Sequence, residues 1–233
     1  MNLLAIETST EFLSLAACRG DAVFWNHVEA GQRHAEMILG SISTLLAHAG
    51  LRLGDLDGIA YGEGPGSFTG LRIACGVVQG LALARGLKVL GVSTLLALAE
   101  EGAADKAIAC TDARMGEVYY AAYRRDINPR DGNPRDGDGW QVVHAPGLCR
   151  PQEVPVPEGG AWTGFGSGFA AHGEVLRGRL SAALDRVEPA VFPTAAAVLR
   201  LARPRFGRGE GGAPEGAIPI YLRDKVALKT SER

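Results

Sequence analysis

Residues 3–17 read "LLAIETSTEFLSLAA", and residues 107–123 read "AIACTDARMGEVYYAAY". Each is an apolar run, an acid, a tight polar turn and a second apolar run. Leu3 to Ile6 suits a buried strand. After the turn, Phe12, Ser14 and Ala16 alternate with Leu13, Leu15 and Ala17, and a third apolar stretch surrounds Val23 to Val28. This pattern predicts a three-strand meander. Setting Glu7 against Asp112 puts Leu13 on Val118 and Leu15 on Tyr120, a hint that one unit occurs twice. The expected division falls near Ala103, giving units 1–103 and 104–233.

Working outward, Ile38, Ile42, Leu45, Leu46 and Ala49 recur at helical spacing, with Gly50 as the stop. "LDGIAYGEG" reads as a strand, followed by the glycine-rich turn "GPGSFTGLRI" (64–73) and a helix to about Arg85. "LKVLGVST" is a further strand. "STLLALAEE" opens another helix, with Ser93 or Thr94 as its N-cap. Strands alternating with helices after a meander imply an α/β fold, a mixed sheet with helices packed on it. Residues 124–139, "RRDINPRDGNPRDGDG", hold four arginines and four aspartates, so their charge cancels. They read as a long hairpin loop between strands near Tyr120 and Val143.

The bulk properties exclude several classes. A 233-residue chain that is 46% hydrophobic can bury a large core as one large domain or two small ones. Its formal net charge of −2 is not that of a protein held to nucleic acid by bulk charge. Cys18, Cys75, Cys110 and Cys149 lack CxxC spacing and read as reduced thiols of a cytoplasmic protein. Glu7 interrupts the first apolar run, so it does not read as a signal peptide. Ile73 to Ala84 is shorter than the ~18–20 residues that span a bilayer, so no membrane association is expected.

Catalytic motifs are weak or missing. The five histidines, His27, His34, His48, His144 and His172, include no pair at i,i+4, so no helical zinc site is expected. His34 reads as a surface or interface residue. No GxSxG occurs. The 64–70 turn has no P-loop lysine, and "GFGSGF" (164–169) reads as a strand-to-helix turn. Glu7, Thr8 and Ser9 have the layout of a phosphate-binding hairpin, but no matching acid-plus-glycine loop stands in the second half. They are read as a degenerate phosphate hairpin, with no metal or cofactor expected. Arg200, Arg203, Arg205 and Arg208 end a helix. That placement complements its C-terminus better than it forms an RNA surface, because no aromatic is interleaved to stack bases.

The helix after Phe68 carries Gly70, Gly76 and Gly80, each costing about 1 kcal/mol against alanine. Gly76, Gly80 and Ala84 share one face. A helix that keeps such glycines has something close against it, either its own sheet or a second chain.

"LLAIETST", "GPGSFTGLRI", "GVSTLLALA", "DARMGEVYYA" and "PIYLRDKVA", in that order, resemble the TsaB (YeaZ) family over nearly the whole chain. The resemblance implies two ribonuclease-H-like halves of the actin-like ATPase superfamily, without a working catalytic site. It also implies a scaffold for the catalytic paralogue TsaD, with the ATPase TsaE as third partner. That complex moves a threonylcarbamoyl group onto N6 of adenosine 37 in tRNAs that read codons beginning with A. Self-association through the N-terminal half is implied too, and tRNA is met through the complex. On this resemblance the docking face would hold His34, Met37, Ile38, Ser41, Leu45, Gly70, Arg72, Ile73, Gly76, Val77 and Gly80. The chain departs from the common family form at Glu7, where aspartate is frequent, and in its long "INPRDGNPRDGDGW" loop. Two other classes compete with this reading. One is a glycoprotease-like peptidase, against which the missing metal spacing counts; the other is an ATP-dependent small-molecule kinase, motivated by Glu7 to Thr10.

Overall fold

A computed structural model describes residues 1–126 and 139–223; most of the expected 124–139 loop lies outside the described residues. The first strands are β1 (Asn2–Glu7), β2 (Phe12–Arg19) and β3 (Ala22–Glu29). They form the expected antiparallel meander, with Ile6 opposite Leu15 and Ala16 opposite Trp25. Then come α1 (His34–His48), β4 (Gly58–Gly64), α2 (Phe68–Arg85), β5 (Lys88–Ser93) and α3 (Thr94–Gly102). Ser93 caps α3, its hydroxyl accepting from Leu96 N at 3.5 Å. β4 and β5 run parallel to β1, as a helical crossover requires.

The rest of the chain forms β6 (Lys106–Arg114), β7 (Glu117–Arg125), β8 (Trp140–Cys149), β9 (Trp162–Phe165), α4 (Ser167–Arg179), β10 (Leu184–Glu188) and α5 (Ala195–Gly207). Among the described residues there are two five-stranded sheets, ordered β3-β2-β1-β4-β5 and β8-β7-β6-β9-β10. The topology repeats, with one difference. Where α1 joins β3 to β4, the second unit has only a 3-10 turn at Pro151–Glu153 and extended chain. Among the described residues no helix is long and apolar enough to cross a membrane.

Side-chain alternation sorts each sheet into an inner and an outer face. Leu4, Ile6, Leu13 and Leu15 pack beneath α1 and α2. Ile108, Cys110, Val118 and Tyr120 pack on the α4 side of the second sheet. The inner faces, including Leu3, Ala5, Ala107, Ala109 and Tyr123, share one core with α3 and α5. The layers therefore run α1/α2, first sheet, α3/α5, second sheet, α4. Helix α5 comes from the far end of the chain yet lies on β1, β2 and β4.

This facing corrects the repeat. Leu13 and Leu15 do match Val118 and Tyr120. Ile6 matches Cys110, however, so Glu7 takes the register of Thr111 rather than Asp112. The second hairpin is one residue longer, and the extra residue is absorbed in a register shift between Asp112 and Arg114.

The arginines of α5 are occupied by acids. Arg200 bonds Glu100 and Glu101, each at 3.0 Å. Arg203 meets Asp21, and Arg205 and Arg208 both meet Glu210. Arg200 thereby ties α5 to α3 within their layer, Arg203 reaches the β2–β3 turn, and Arg205 and Arg208 hold the chain just after the helix. Glu100 is the centre of this seam, accepting also from Trp140 Nε1 at 2.8 Å and Arg125 Nη2 at 3.2 Å. Glu100→Ala would strand the buried indole N–H of Trp140 and remove one partner each from Arg125 and Arg200, which keep solvent and, for Arg200, Glu101. We expect a stability loss of about 2–3 kcal/mol by urea denaturation, with a smaller loss for Glu100→Gln. Equal stability of Glu100→Ala and wild type would show that the seam is dispensable.

Candidate functional site

The polar turn after β1 begins in the interior and reaches the surface only at Thr10 and Glu11. Glu7, Thr8 and Ser9 are all buried. Glu7 Oε1 accepts from Ser9 N at 2.6 Å and Oε2 from Thr94 Oγ1 at 3.4 Å. Gly62 makes room for this carboxylate, since a Cβ there would collide with Glu7 Oε2. Burial, outweighing these hydrogen bonds, raises the Glu7 pKa above its ordinary 4.5. Thr8 Oγ1 donates to Gly70 O at 2.9 Å, and Ser67 N donates to Ser9 O at 2.8 Å. A Cβ on Gly66 would meet Ser9, and one on Gly70 would collide with Thr8 O. The start of the "GPGSFTG" turn is thus shaped by close approach to the β1–β2 turn. Ser67 adds an N-cap, its Oγ accepting from Gly70 N at 3.2 Å.

A cleft of about 940 Å³ lies between the two units. Its walls include Ser9 to Glu11, the start of α2, Asp112 to Met115 of the β6–β7 turn, and the start of α4. Asp112 N donates to Ser167 Oγ at 3.1 Å, and Asp112 Oδ1 stands 3.6 Å from His172 Nε2. Glu7 and Thr8 do not line the cleft. Among the described residues no three His, Cys, Asp or Glu side chains come together as metal ligands would.

The second surface is the outer side of α1 and α2. It narrows the expected residue set. His34 is 5% exposed, its Nε2 3.1 Å from Phe12 O, so it braces the meander rather than facing a partner. Ile38 and Leu45 belong to the core under α1, and Gly70 is against Thr8. Met37, Ser41, Ile73 and Val77 are half-buried, while Arg72, Gly76 and Gly80 are exposed. A Cβ on Gly76 or Gly80 would meet nothing within 4 Å. Their own sheet therefore does not account for these two glycines. α2 also exposes Leu83 (74%), one turn past Gly80, and α1 exposes Leu39 (58%), both of which periodicity passed over. The available signal was an apolar residue out of phase with the buried stripe.

The family profile described as "TsaD: tRNA N6-adenosine threonylcarbamoyltransferase" matches residues 28–132. The "tRNA threonylcarbamoyladenosine biosynthesis protein TsaB" of Escherichia coli K12 is 36% identical over 98% of this chain and 97% of its own length. The protein of the same name from Haemophilus influenzae is 32% identical over 98% and 96%. The solved structure of YeaZ from Pseudomonas aeruginosa superposes with a TM-score of 0.84 at 35% identity, covering 95% of this chain and 99% of that one. The α/β fold with two ribonuclease-H-like units is the one present.

Two predictions separate the inward and outward roles of these residues. Gly70→Ala should destabilise the chain by about 2 kcal/mol or more, because Thr8 must be displaced. Gly76→Ala should instead stabilise the isolated chain by up to about 1 kcal/mol; thermal melts of both variants compare them. Glu7→Gln should be more stable than wild type at pH 7. The raised folded pKa means that stability is lost as pH rises above the unfolded value, so the gap should close as pH falls toward 4.5. A gap independent of pH would mean that Glu7 titrates in the fold as it does in the unfolded chain.

Proposed function

The chain belongs to the TsaB family, and on that premise we propose that it serves the biosynthesis of threonylcarbamoyladenosine in tRNA as a docking subunit rather than as the catalyst. The observation that carries the reading is the outer side of α1 and α2. There Gly76 and Gly80 face open space, Leu83 is exposed one turn past Gly80 on the same face, and α1 exposes Leu39. Glycines in an exposed helix interior cost helix stability. They are explained by a second helix whose backbone comes close, where packed helices stand about 8–10 Å apart. Exposed apolar side chains at the same place supply the area that such contact buries.

The partner proposed for this face is the catalytic paralogue TsaD, with a second copy of this chain able to use the same surface when TsaD is absent. TsaE joins as the ATPase, and tRNA is met through the complex in the cytoplasm. Residues 1–103 would carry the docking helices, and residues 104–233 the second unit that buttresses them. The non-catalytic role is supported by Glu7 being turned into the protein rather than into the cleft, a placement that also weakens the kinase reading.

A drop-out reconstitution tests this. TsaD, TsaE, tRNA, threonine, bicarbonate, ATP and the adenylate-forming enzyme are combined with and without the chain. Threonylcarbamoyladenosine is then quantified by nucleoside mass spectrometry. Product should appear only with the chain present, and the chain alone should make none. Gly80→Glu should keep its fold by circular dichroism while lowering product at least tenfold, an effect of about 1.4 kcal/mol or more. Undiminished product without the chain, or product from the chain alone, would contradict the proposal.

A further inference from the structure

Arg72 sits one turn into α2, on the exposed side, and its guanidinium is already held. Its Cζ lies 3.6 Å from the Phe68 ring centroid and 5.6 Å from that of Tyr221. Its Nε donates to Tyr221 Oη at 2.7 Å. Tyr221 belongs to an extended strap, residues 217–223, that runs beside α2. Gln79 Nε2 donates to Ala217 O at 2.9 Å, and Ile220 N donates to Glu63 O at 2.7 Å. Beyond Tyr221, Arg223 bonds Glu117 of β7 at 2.6 Å. The strap is therefore pinned on both sides of Tyr221.

Among the described residues the two terminal nitrogens of Arg72 meet no acceptor at hydrogen-bond distance. A guanidinium fixed by two ring contacts and one hydrogen bond presents a planar fork of donors whose geometry matches a carboxylate. The two rings that hold it are themselves exposed, Tyr221 at 44% and Phe68 at 39%. An ordered arginine ringed by apolar surface is the usual composition of a protein–protein hot spot.

Resting on the docking role proposed above, we propose that Arg72 is the anchor of that face. It receives an aspartate or glutamate carboxylate from the partner protein, and Tyr221 of the strap is the residue that positions it. Charge complementarity selects the occupant. Arg72 is the sole charged residue of α2 before Arg85. A phosphate backbone is gripped by several cations together, whereas one fork suits one carboxylate.

The test is calorimetric titration of full-length chain with its cognate TsaD, at low and high salt. Arg72→Ala should weaken binding by about 30-fold or more and flatten the salt dependence. Arg72→Lys, which keeps charge without the fork, should recover only part of that loss. Tyr221→Phe keeps the ring and removes the acceptor; it should weaken binding by about three- to tenfold, and have no effect in the Arg72→Ala background. That dependence separates positioning from a general structural role. If wild type binds TsaD and Arg72→Ala binds equally well, the anchor is wrong and the docking role stands. If Arg72→Ala spares TsaD binding but weakens binding of tRNA to the chain alone, the occupant is RNA and the proposal is overturned. If wild type does not bind TsaD at all, the docking reading fails and this inference fails with it.

Discussion

The structure depends on one helical layer shared by two sheets. Helix α3 follows the first sheet yet packs on β6 and β7, while α5 follows the second and packs on β1, β2 and β4. Small residues make this possible. Ala97 and Ala99 of α3, Ala195, Ala197 and Ala202 of α5, and Ala5, Ala107 and Ala109 of the sheets all lie in the same core. With so little side-chain volume between them, helices and strands approach closely, and the two units cannot part without exposing that core to water. Glu100 and Glu101 close the seam with charge-assisted hydrogen bonds to residues from both sides.

This layer decides where function can lie. The inner faces of both sheets are consumed by packing, and the outer face of the second sheet is covered by α4 and the segment around Pro151 to Pro155. Among the described residues the cleft and the outer side of α1 and α2 stay open. Helix α2 serves two contacts with one glycine-rich stretch. Gly70 lets its first turn press on Thr8, which fixes the helix on the sheet. Gly76 and Gly80, about two and three turns further along, face outward with nothing above them. The glycines thus fall into two sets, one pressed against the chain's own backbone and one on the open side of the helix.

Much of the architecture was legible in the chain because it rests on local periodicity. The alternation at Leu13 to Ala17, the helical stripe from Ile38 to Ala49 and the Ser93 cap all lie where period and cap chemistry put them. What failed to read through was phase and long-range contact. Apolar residues occur on both sides of α1, Ile38 and Leu45 inward and Leu39 outward, so spacing alone does not separate core from surface. His34 looked polar enough for the surface, but a backbone carbonyl at Phe12 satisfies it in the interior. One extra residue in the second hairpin moved Glu7 from Asp112 to Thr111. The return of α5 to the first sheet, and the clasp of Tyr221 on Arg72, join residues far apart in the chain and leave no local signature.

On the docking proposal, this chain meets its partner on the outer side of α1 and α2. The test is hydrogen exchange of the full chain, alone and saturated with cognate TsaD. Added protection is expected in residues 34–48 and 68–85, with the walls of the cleft at 111–115 and 167–171 unchanged. Protection confined to the cleft, with both helices exchanging as in the free chain, would contradict it.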